Sequence, residues 1–175
     1  MVTDAELGRP LQLEPLLAAL DRHGVDFVVV GGVAGLAHGS AYPTYDLDVA
    51  YARDEGNLRR LAAALRELGV TLRGAPADLP FQIEAATLAA GANFTFDSTF
   101  GMFDVLGDFT GVRNYAALRA DSRVEQIKGL PVRIASLDHL ITMKRSANRP
   151  KDRNMVEEYI VIADEQQRQA EGKDD

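Results

Sequence analysis

The feature that most constrains the fold is a short apolar segment that runs into glycine and then into a pair of acids. The sequence VDFVVV at residues 25–30 is almost wholly apolar and predicts a buried strand. Two glycines follow, then a short helical segment over 33–38 and a second strand with the pattern Asp-x-Asp. This succession between residues 25 and 49 predicts an α/β or α+β protein in which helices cover a sheet.

The rest of the chain supplies further elements of both kinds. Apolar spacing, caps and turns predict helices over 12–23, from about 55 to 69, over 136–148 and from Pro150 onward, with a strand over 70–73 and hairpins over 93–109 and 124–135. No repeat or long linker divides these elements, so we expect a single domain over residues 1–163. The sequence EQQRQAEGKDD has little to bury, and we expect residues 164–175 to form a charged, frayed tail.

The chain has no cysteine. This excludes disulfides, thiolate metal ligands and a cysteine nucleophile, so any metal must bind oxygen or imidazole. The N-terminus has neither a basic start nor a hydrophobic stretch, and no apolar run is long enough to span a bilayer. We therefore expect a soluble, cytoplasmic protein without a membrane partner.

Charge is distributed unevenly along the chain. The net charge is −7, but residues 136–155 contain five basic and two acidic residues, a local net charge of +3. An acidic body with one basic segment argues against broad adhesion to nucleic acid. The segment fits a local phosphate site, and a solvated helix face is the alternative.

The Asp-x-Asp pattern places Asp46 and Asp48 on one face of a strand, about 6.6 Å apart along the chain. Two carboxylates side by side are costly unless a cation compensates them, although a surface pair on an edge strand is the alternative interpretation. Asp104 lies between apolar neighbours in a predicted strand and is the candidate third ligand. Asp97 and Asp108 are its rivals, and both also fit ordinary turns.

Two other groups of residues are candidates for anion binding. Gly31 and Gly32 follow a buried strand, where bare backbone lets a phosphate approach, or where a turn simply needs small residues. Lys144 continues the apolar stripe of its helix, so it either meets an acid or phosphate or extends to solvent. The nearby Arg145, Arg149 and Lys151 are expected at the periphery, and His38 and His139 are expected to pack or cap.

With these residues assembled, the sequence resembles the nucleotidyltransferase superfamily, in which a glycine pair precedes Asp-x-Asp and a later strand supplies a third acid. The stretches NFTFDSTFGMFDVLGD and SLDHLITMKRSANRPKDRNMVEEY resemble the minimal nucleotidyltransferase-like proteins related to abortive-infection toxins of type IV toxin–antitoxin systems. The resemblance covers about residues 12–162. It implies a mixed sheet flanked by helices, with helices at the C-terminus.

The resemblance also implies a set of ligands. Mg²⁺, as one or two ions, is expected on Asp46, Asp48 and Asp104, which with Lys144 form the expected catalytic set. A nucleoside triphosphate is expected at Gly31, Gly32, Thr44, Lys144, Arg145 and Lys151. One position departs from the family: Tyr42 stands where many relatives have arginine in Arg-x-Thr-x-Asp-x-Asp.

These observations support two main hypotheses. The first is a magnesium-dependent nucleotidyltransferase that modifies an acceptor hydroxyl on an RNA such as tRNA or on a protein, as a toxin with a cognate antitoxin partner. The second is a nucleotide-binding module that acts through a protein partner without turnover, for which Tyr42 is the main support. A nucleic-acid-binding protein without a nucleotide site is the least favoured, because the sequence pI is about 5.0.

Overall fold

The computed structural model describes residues 9–173; residues 1–8 of the predicted domain and 174–175 of the predicted tail lie outside the described residues. Within residues 9–173 there are seven strands and seven helices. The strands are β1 (Phe27–Val30), β2 (Asp46–Tyr51), β3 (Thr71–Leu72), β4 (Asn93–Ser98), β5 (Gly101–Leu106), β6 (Arg123–Ile127) and β7 (Leu130–Ile134). The helices are α1 (Leu13–Arg22), α2 (Gly31–Ala37), α3 (Glu55–Glu67), α4 (Ala85–Ala90), α5 (Tyr115–Ala120), α6 (Leu137–Ala147) and α7 (Pro150–Glu171).

All the described strands join one sheet in the order β3-β4-β5-β2-β1-β7-β6. The pairs β2–β5 and β1–β7 are parallel, whereas β1–β2, β3–β4, β4–β5 and β6–β7 are antiparallel. The predicted mixed sheet flanked by helices is therefore confirmed. The parallel pairing of β2 with β5 matters most for function, because it brings two distant segments side by side at the centre of the sheet.

Local sequence signals account for where several helices begin and end. Gly24, at φ 64°, follows α1 in a backbone conformation that side chains disfavour. Asp54 caps α3 by accepting a hydrogen bond from the backbone N–H of Asn57 at 2.9 Å. Ser136 caps α6 as the sequence predicts, and Pro150 is the first residue of α7.

Alternation along the central strands separates a core face from a polar face. Leu47, Val49, Phe103 and Val105 are completely buried on one face of β2 and β5. Because neighbouring residues of a strand point to opposite faces, the residues between them project from the other face. This arrangement fixes the direction of the acids at positions 46, 48 and 104.

The structure differs from the sequence prediction at three helices. The helix expected over 33–38 begins instead at Gly31, which makes the turn itself with a φ of 65°. Helices α4 and α5 are not predicted by the sequence. Each buries only one residue, Leu88 in α4 and Leu118 in α5, so neither has an apolar stripe that a periodicity search detects.

The last helix also extends beyond its predicted limit. α7 continues to Glu171, so residues 164–171 are helical where the sequence predicts a frayed tail. Their side chains are exposed, and Gln167 donates a hydrogen bond to Glu171 one turn later at 3.0 Å. Among the described helices, none is both long enough and apolar enough to cross a membrane.

Candidate active site

The three predicted acids meet on the polar face of the sheet. In the parallel pairing of β2 and β5, Asp48 lies opposite Asp104 and Asp46 lies opposite Met102. One carboxylate oxygen from each of Asp46, Asp48 and Asp104 lies within 4.8 Å of the other two. We call these three residues the acid cluster.

The acid cluster is electrostatically unfavourable without a compensating cation. The pKa of Asp48 is raised to about 8, first by burial and then by the charges of Asp46 and Asp104, while Lys144 and Arg73 oppose the shift. Burial also raises the pKa of Asp104. A divalent cation would relieve this repulsion, and carboxylate oxygens are the ligands that Mg²⁺ prefers. The residues present therefore fit a magnesium site.

The two glycines allow α2 to approach β2 closely. A Cβ atom on Gly31 would lie 2.3 Å from Oδ2 of Asp48, and one on Gly32 would lie 2.5 Å from Oγ1 of Thr44. Thr44 in turn donates a hydrogen bond to the backbone carbonyl of Asp46 at 3.2 Å. Packing alone thus requires glycine at both positions, and Gly31 also leaves open backbone beside Asp48.

A pocket of about 370 Å³ opens beside the acid cluster. Its polar lining includes Gly31, Asp48, Asp108, Lys144 and Arg149, and its apolar lining includes Leu106, Phe109, Leu140 and Met143. An apolar wall with a few convergent polar groups is typical of a small-molecule site. Asp48 of β2 and Lys144 of α6 therefore line the same pocket.

Lys144 lines this pocket, but its ion-pair partner is not in the acid cluster. Its Nζ lies 3.4 Å from Oδ1 of Asp152 and 6.0 Å from the centre of the Tyr159 ring. Asp152 is buried and also accepts a hydrogen bond from Nε of Arg149 at 2.8 Å. Burial raises the pKa of Asp152, but Arg149 and Lys144 outweigh burial and the net pKa is lowered.

The other predicted nucleotide-binding residues are more dispersed. Thr44 packs against Gly32, and its hydroxyl lies 3.4 Å from Oδ1 of Asp46. Arg145 lines a second pocket of about 350 Å³ between α6 and α7, together with Lys144, Arg149 and Arg153. Lys151 is exposed on the first turn of α7. The structure therefore brings Gly31 and Thr44 to the acid cluster and Lys144 to the adjoining pocket, and it places Arg145 and Lys151 outside that pocket.

The rival acids and the two histidines occupy different surroundings. Asp108 lines the pocket beside the acid cluster, whereas Asp97 lies on β4 and pairs with Arg73 at 3.2 Å. Nε2 of His38 is 2.7 Å from the backbone carbonyl of Ala135, and burial lowers the pKa of His38. His38 therefore has the environment of a packing residue. Nε2 of His139 lies 3.5 Å from Asp121.

One residue at the site is missed by the sequence analysis. Nη2 of Arg73 donates a hydrogen bond to Oδ1 of Asp104 at 2.8 Å. Arg73 follows the two-residue strand β3, and only the antiparallel pairing of β3 with β4 carries it towards β5. The surrounding sequence has no pattern that predicts this contact.

The protein is similar to known proteins in structure but not in sequence. No protein-family model and no curated protein matches the sequence. The lincosamide antibiotic adenylyltransferase LnuA, solved with lincomycin bound, superimposes with a TM-score of 0.58 at 12% identity, over 88% of this chain and 99% of that chain. The antibiotic-resistance factor ANT(2'')-Ia in solution gives a TM-score of 0.54 at 18% identity, over 87% and 81% of the two chains.

A crystal structure of ANT(2'')-Ia with adenylyl-2''-tobramycin also gives a TM-score of 0.54 at 18% identity, over 87% of this chain and 86% of that chain. These likenesses are structural, since the identities are low. Together with the seven-stranded mixed sheet and its flanking helices over the described residues, they show that this chain has the fold of nucleotidyltransferases.

Proposed function

We propose that the protein is a magnesium-dependent nucleotidyltransferase that moves a nucleoside monophosphate from a nucleoside triphosphate to an acceptor hydroxyl. The observation that carries this proposal is the convergence of three acids, within 4.8 Å, beside a pocket that also contains Lys144. The carboxylates are complementary to the positive charge of a metal ion, and Lys144 is complementary to the negative charge of the triphosphate. The fold is consistent with this activity.

Each residue of the site has a distinct proposed role. Asp46 and Asp48 hold Mg²⁺, and Asp104 completes the ligand set on β5. Bound Mg²⁺ supplies charge neutralisation for the triphosphate and for the attacking oxygen. Lys144 lies on the pocket wall, where its ammonium group offsets the negative charge that develops on the departing pyrophosphate.

The reaction breaks one bond and forms one. The acceptor oxygen attacks the α-phosphorus, the bond from that phosphorus to the bridging oxygen breaks, and pyrophosphate leaves. Asp104, which lies opposite Asp48 in the sheet, takes the proton of the acceptor hydroxyl. The chain contributes chiefly by positioning and by fixed charges.

The acceptor defines the finer part of the proposal. The sequence resemblance favours an RNA such as tRNA, or a protein, and a role as the toxin of a toxin–antitoxin pair with a cognate antitoxin. LnuA is a lincosamide antibiotic adenylyltransferase, and the ANT(2'')-Ia complex contains adenylyl-2''-tobramycin. Small hydroxyl-bearing antibiotics therefore form a third acceptor class for testing.

A second candidate function is a nucleotide-binding module that acts through a protein partner without turnover. Tyr42, in the loop before β2, supports it because the sequence resemblance expects an arginine there. Glu158 holds this loop through the backbone N–H of Ala41 at 2.6 Å and the hydroxyl of Ser40 at 2.9 Å. In this candidate function the acid cluster and Lys144 would bind the nucleotide only.

Transfer of a labelled α-phosphate separates these functions. Each α-labelled triphosphate is incubated with Mg²⁺ and total RNA, protein extract, an aminoglycoside or a lincosamide. Label on any acceptor that disappears in Asp46→Asn but persists in Asp97→Asn supports the transferase. Nucleotide binding without label on any acceptor supports the module, and absence of both contradicts both functions.

A further inference from the structure

Arg73 links three strands at the edge of the acid cluster. Its Nη2 donates hydrogen bonds to Oδ1 of Asp104 and to the backbone carbonyl of Phe96, both at 2.8 Å. Its Nε donates to Oδ1 of Asp97 at 3.2 Å. The side chain is 29% exposed, and of its acceptors the Asp104 carboxylate is the more buried at 14% exposed, against 51% for Asp97.

Arg73 lies at one end of a line of paired residues that runs across neighbouring strands of the sheet. Its backbone N–H bonds the carbonyl of Thr95, Thr95 lies opposite Asp104, and Asp104 lies opposite Asp48. Arg73 does not line the pocket that contains Gly31 and Lys144. It therefore contacts the acid cluster from the β3 side, whereas the proposed triphosphate pocket lies against α6.

This contact has two physical consequences for Asp104. A hydrogen bond from a rigid, planar guanidinium fixes the rotation of the carboxylate and engages one of its two oxygens. The same guanidinium brings a positive charge to the group of acids expected to hold Mg²⁺, where it repels a second cation. The first consequence favours catalysis, and the second opposes metal binding.

We propose that Arg73 is a positioning residue for Asp104. It holds the Asp104 carboxylate in the orientation that accepts the acceptor's proton, and its charge weakens divalent cation binding by the acid cluster in the absence of nucleotide. This inference rests on the proposed transferase function. It assigns to Arg73 a role that neither the sequence resemblance nor the comparisons supply.

The test measures Mn²⁺ binding without nucleotide, and turnover with the best acceptor. In Arg73→Ala, we expect Mn²⁺ to bind about fivefold more tightly because a nearby like charge is removed. We expect kcat to fall about tenfold with the KM for nucleotide unchanged, since Asp104 loses its orientation and the pocket does not. Arg73→Lys keeps the charge, so it restores wild-type Mn²⁺ affinity and part of kcat.

Arg66→Ala is the matched control. Arg66 donates to the backbone carbonyl of Ile83 at 2.6 Å and so holds the other end of the loop that follows Arg73, without contacting the acid cluster. Arg73→Ala with the Mn²⁺ affinity and kcat of Arg66→Ala would overturn the inference while leaving the transferase intact. Wild-type protein that binds no Mn²⁺ either alone or together with a triphosphate would overturn both, and circular dichroism of each variant identifies loss of fold.

Discussion

The strand side of the pocket, formed by β2 and β5, and the helix side, formed by α6 and α7, carry opposite arrangements of charge. On the strand side, Asp46, Asp48 and Asp104 are held together by register, and burial with mutual repulsion raises the pKa of Asp48 to about 8. On the helix side, Lys144 and Arg149 share one buried partner, Asp152, whose net pKa is lowered. On the strand side three acids have one basic partner, Arg73, whereas on the helix side two basic residues share one acid.

This difference leads us to expect that the helix-side residues stabilise the fold and that the acid cluster binds the proposed ligand. Removing a charge from the acid cluster relieves repulsion, so the stability of the fold should rise while the affinity for the ligand should fall. Removing Asp152 leaves two cations without their buried partner, so the fold itself loses. Mutations on the two sides should therefore separate stability from activity.

The largest effect is expected from the acid cluster. Asp46→Asn should lower nucleotide transfer at least about 1,000-fold, because a metal ligand becomes a neutral amide, while its melting temperature stays at or above that of the wild type. Initial rates with labelled triphosphate and a thermal melt measure both quantities. Activity within tenfold of wild type would show that the acid cluster has no catalytic role.

The next largest effect concerns stability on the helix side. Asp152→Ala should lower the free energy of unfolding by about 3 kcal/mol, since Lys144 and Arg149 lose a buried partner. Urea denaturation measures this change, and Asp138→Ala, an exposed acid in the first turn of α6, is the control. A loss below about 1 kcal/mol would mean that the α6–α7 contact does not depend on the ion pairs.

Lys144 lies between the two sides and should show a mixed phenotype. Lys144→Ala should weaken triphosphate binding about tenfold while lowering the free energy of unfolding by only about 1 kcal/mol. Calorimetric titration and urea denaturation give the two numbers, with Lys173→Ala, an exposed lysine beyond α7, as the matched control. Equal nucleotide affinities for the two variants would assign Lys144 a purely structural role.

A further effect is the pH dependence of stability in metal-free protein. The pKa of Asp48 is about 8 in the fold against 3.8 for the free side chain, so the folded state retains a proton that the unfolded state releases. Asp48 therefore costs stability progressively as pH rises from about 4 to 8. Asp48→Asn should match wild type near pH 4 and exceed it by a margin that grows as the pH rises to 8. Urea denaturation at both pH values is the measurement, and a constant difference would contradict it.

Much of the acid cluster could be predicted because its causes are local. Strand alternation alone places Asp46 and Asp48 on one face. Asp104 was a candidate because it interrupts an apolar strand, but its position opposite Asp48 depends on the parallel pairing of β2 with β5. Local periodicity cannot supply that register, although the apolar neighbours of Asp104 favour it over Asp97 and Asp108, which also fit ordinary turns.

The features that could not be predicted depend on distant or weak contacts. Arg73 reaches Asp104 across 31 positions of the chain from the end of a two-residue strand. The partner of Lys144 was also ambiguous, because an inward-facing lysine fits an acid, a phosphate or solvent equally well. The helical extension of α7 beyond Ala163 has exposed side chains and so leaves no apolar pattern.

The central claim is that the acid cluster holds the cations that bring a triphosphate into the pocket beside Lys144. Calorimetric titration of wild-type protein and Asp46→Asn with each triphosphate, in Mg²⁺ and in a chelator, tests it most directly. We predict that one triphosphate binds the wild type in Mg²⁺ and that its affinity falls at least about tenfold in the chelator or in Asp46→Asn. Equal affinity under all three conditions would contradict the claim.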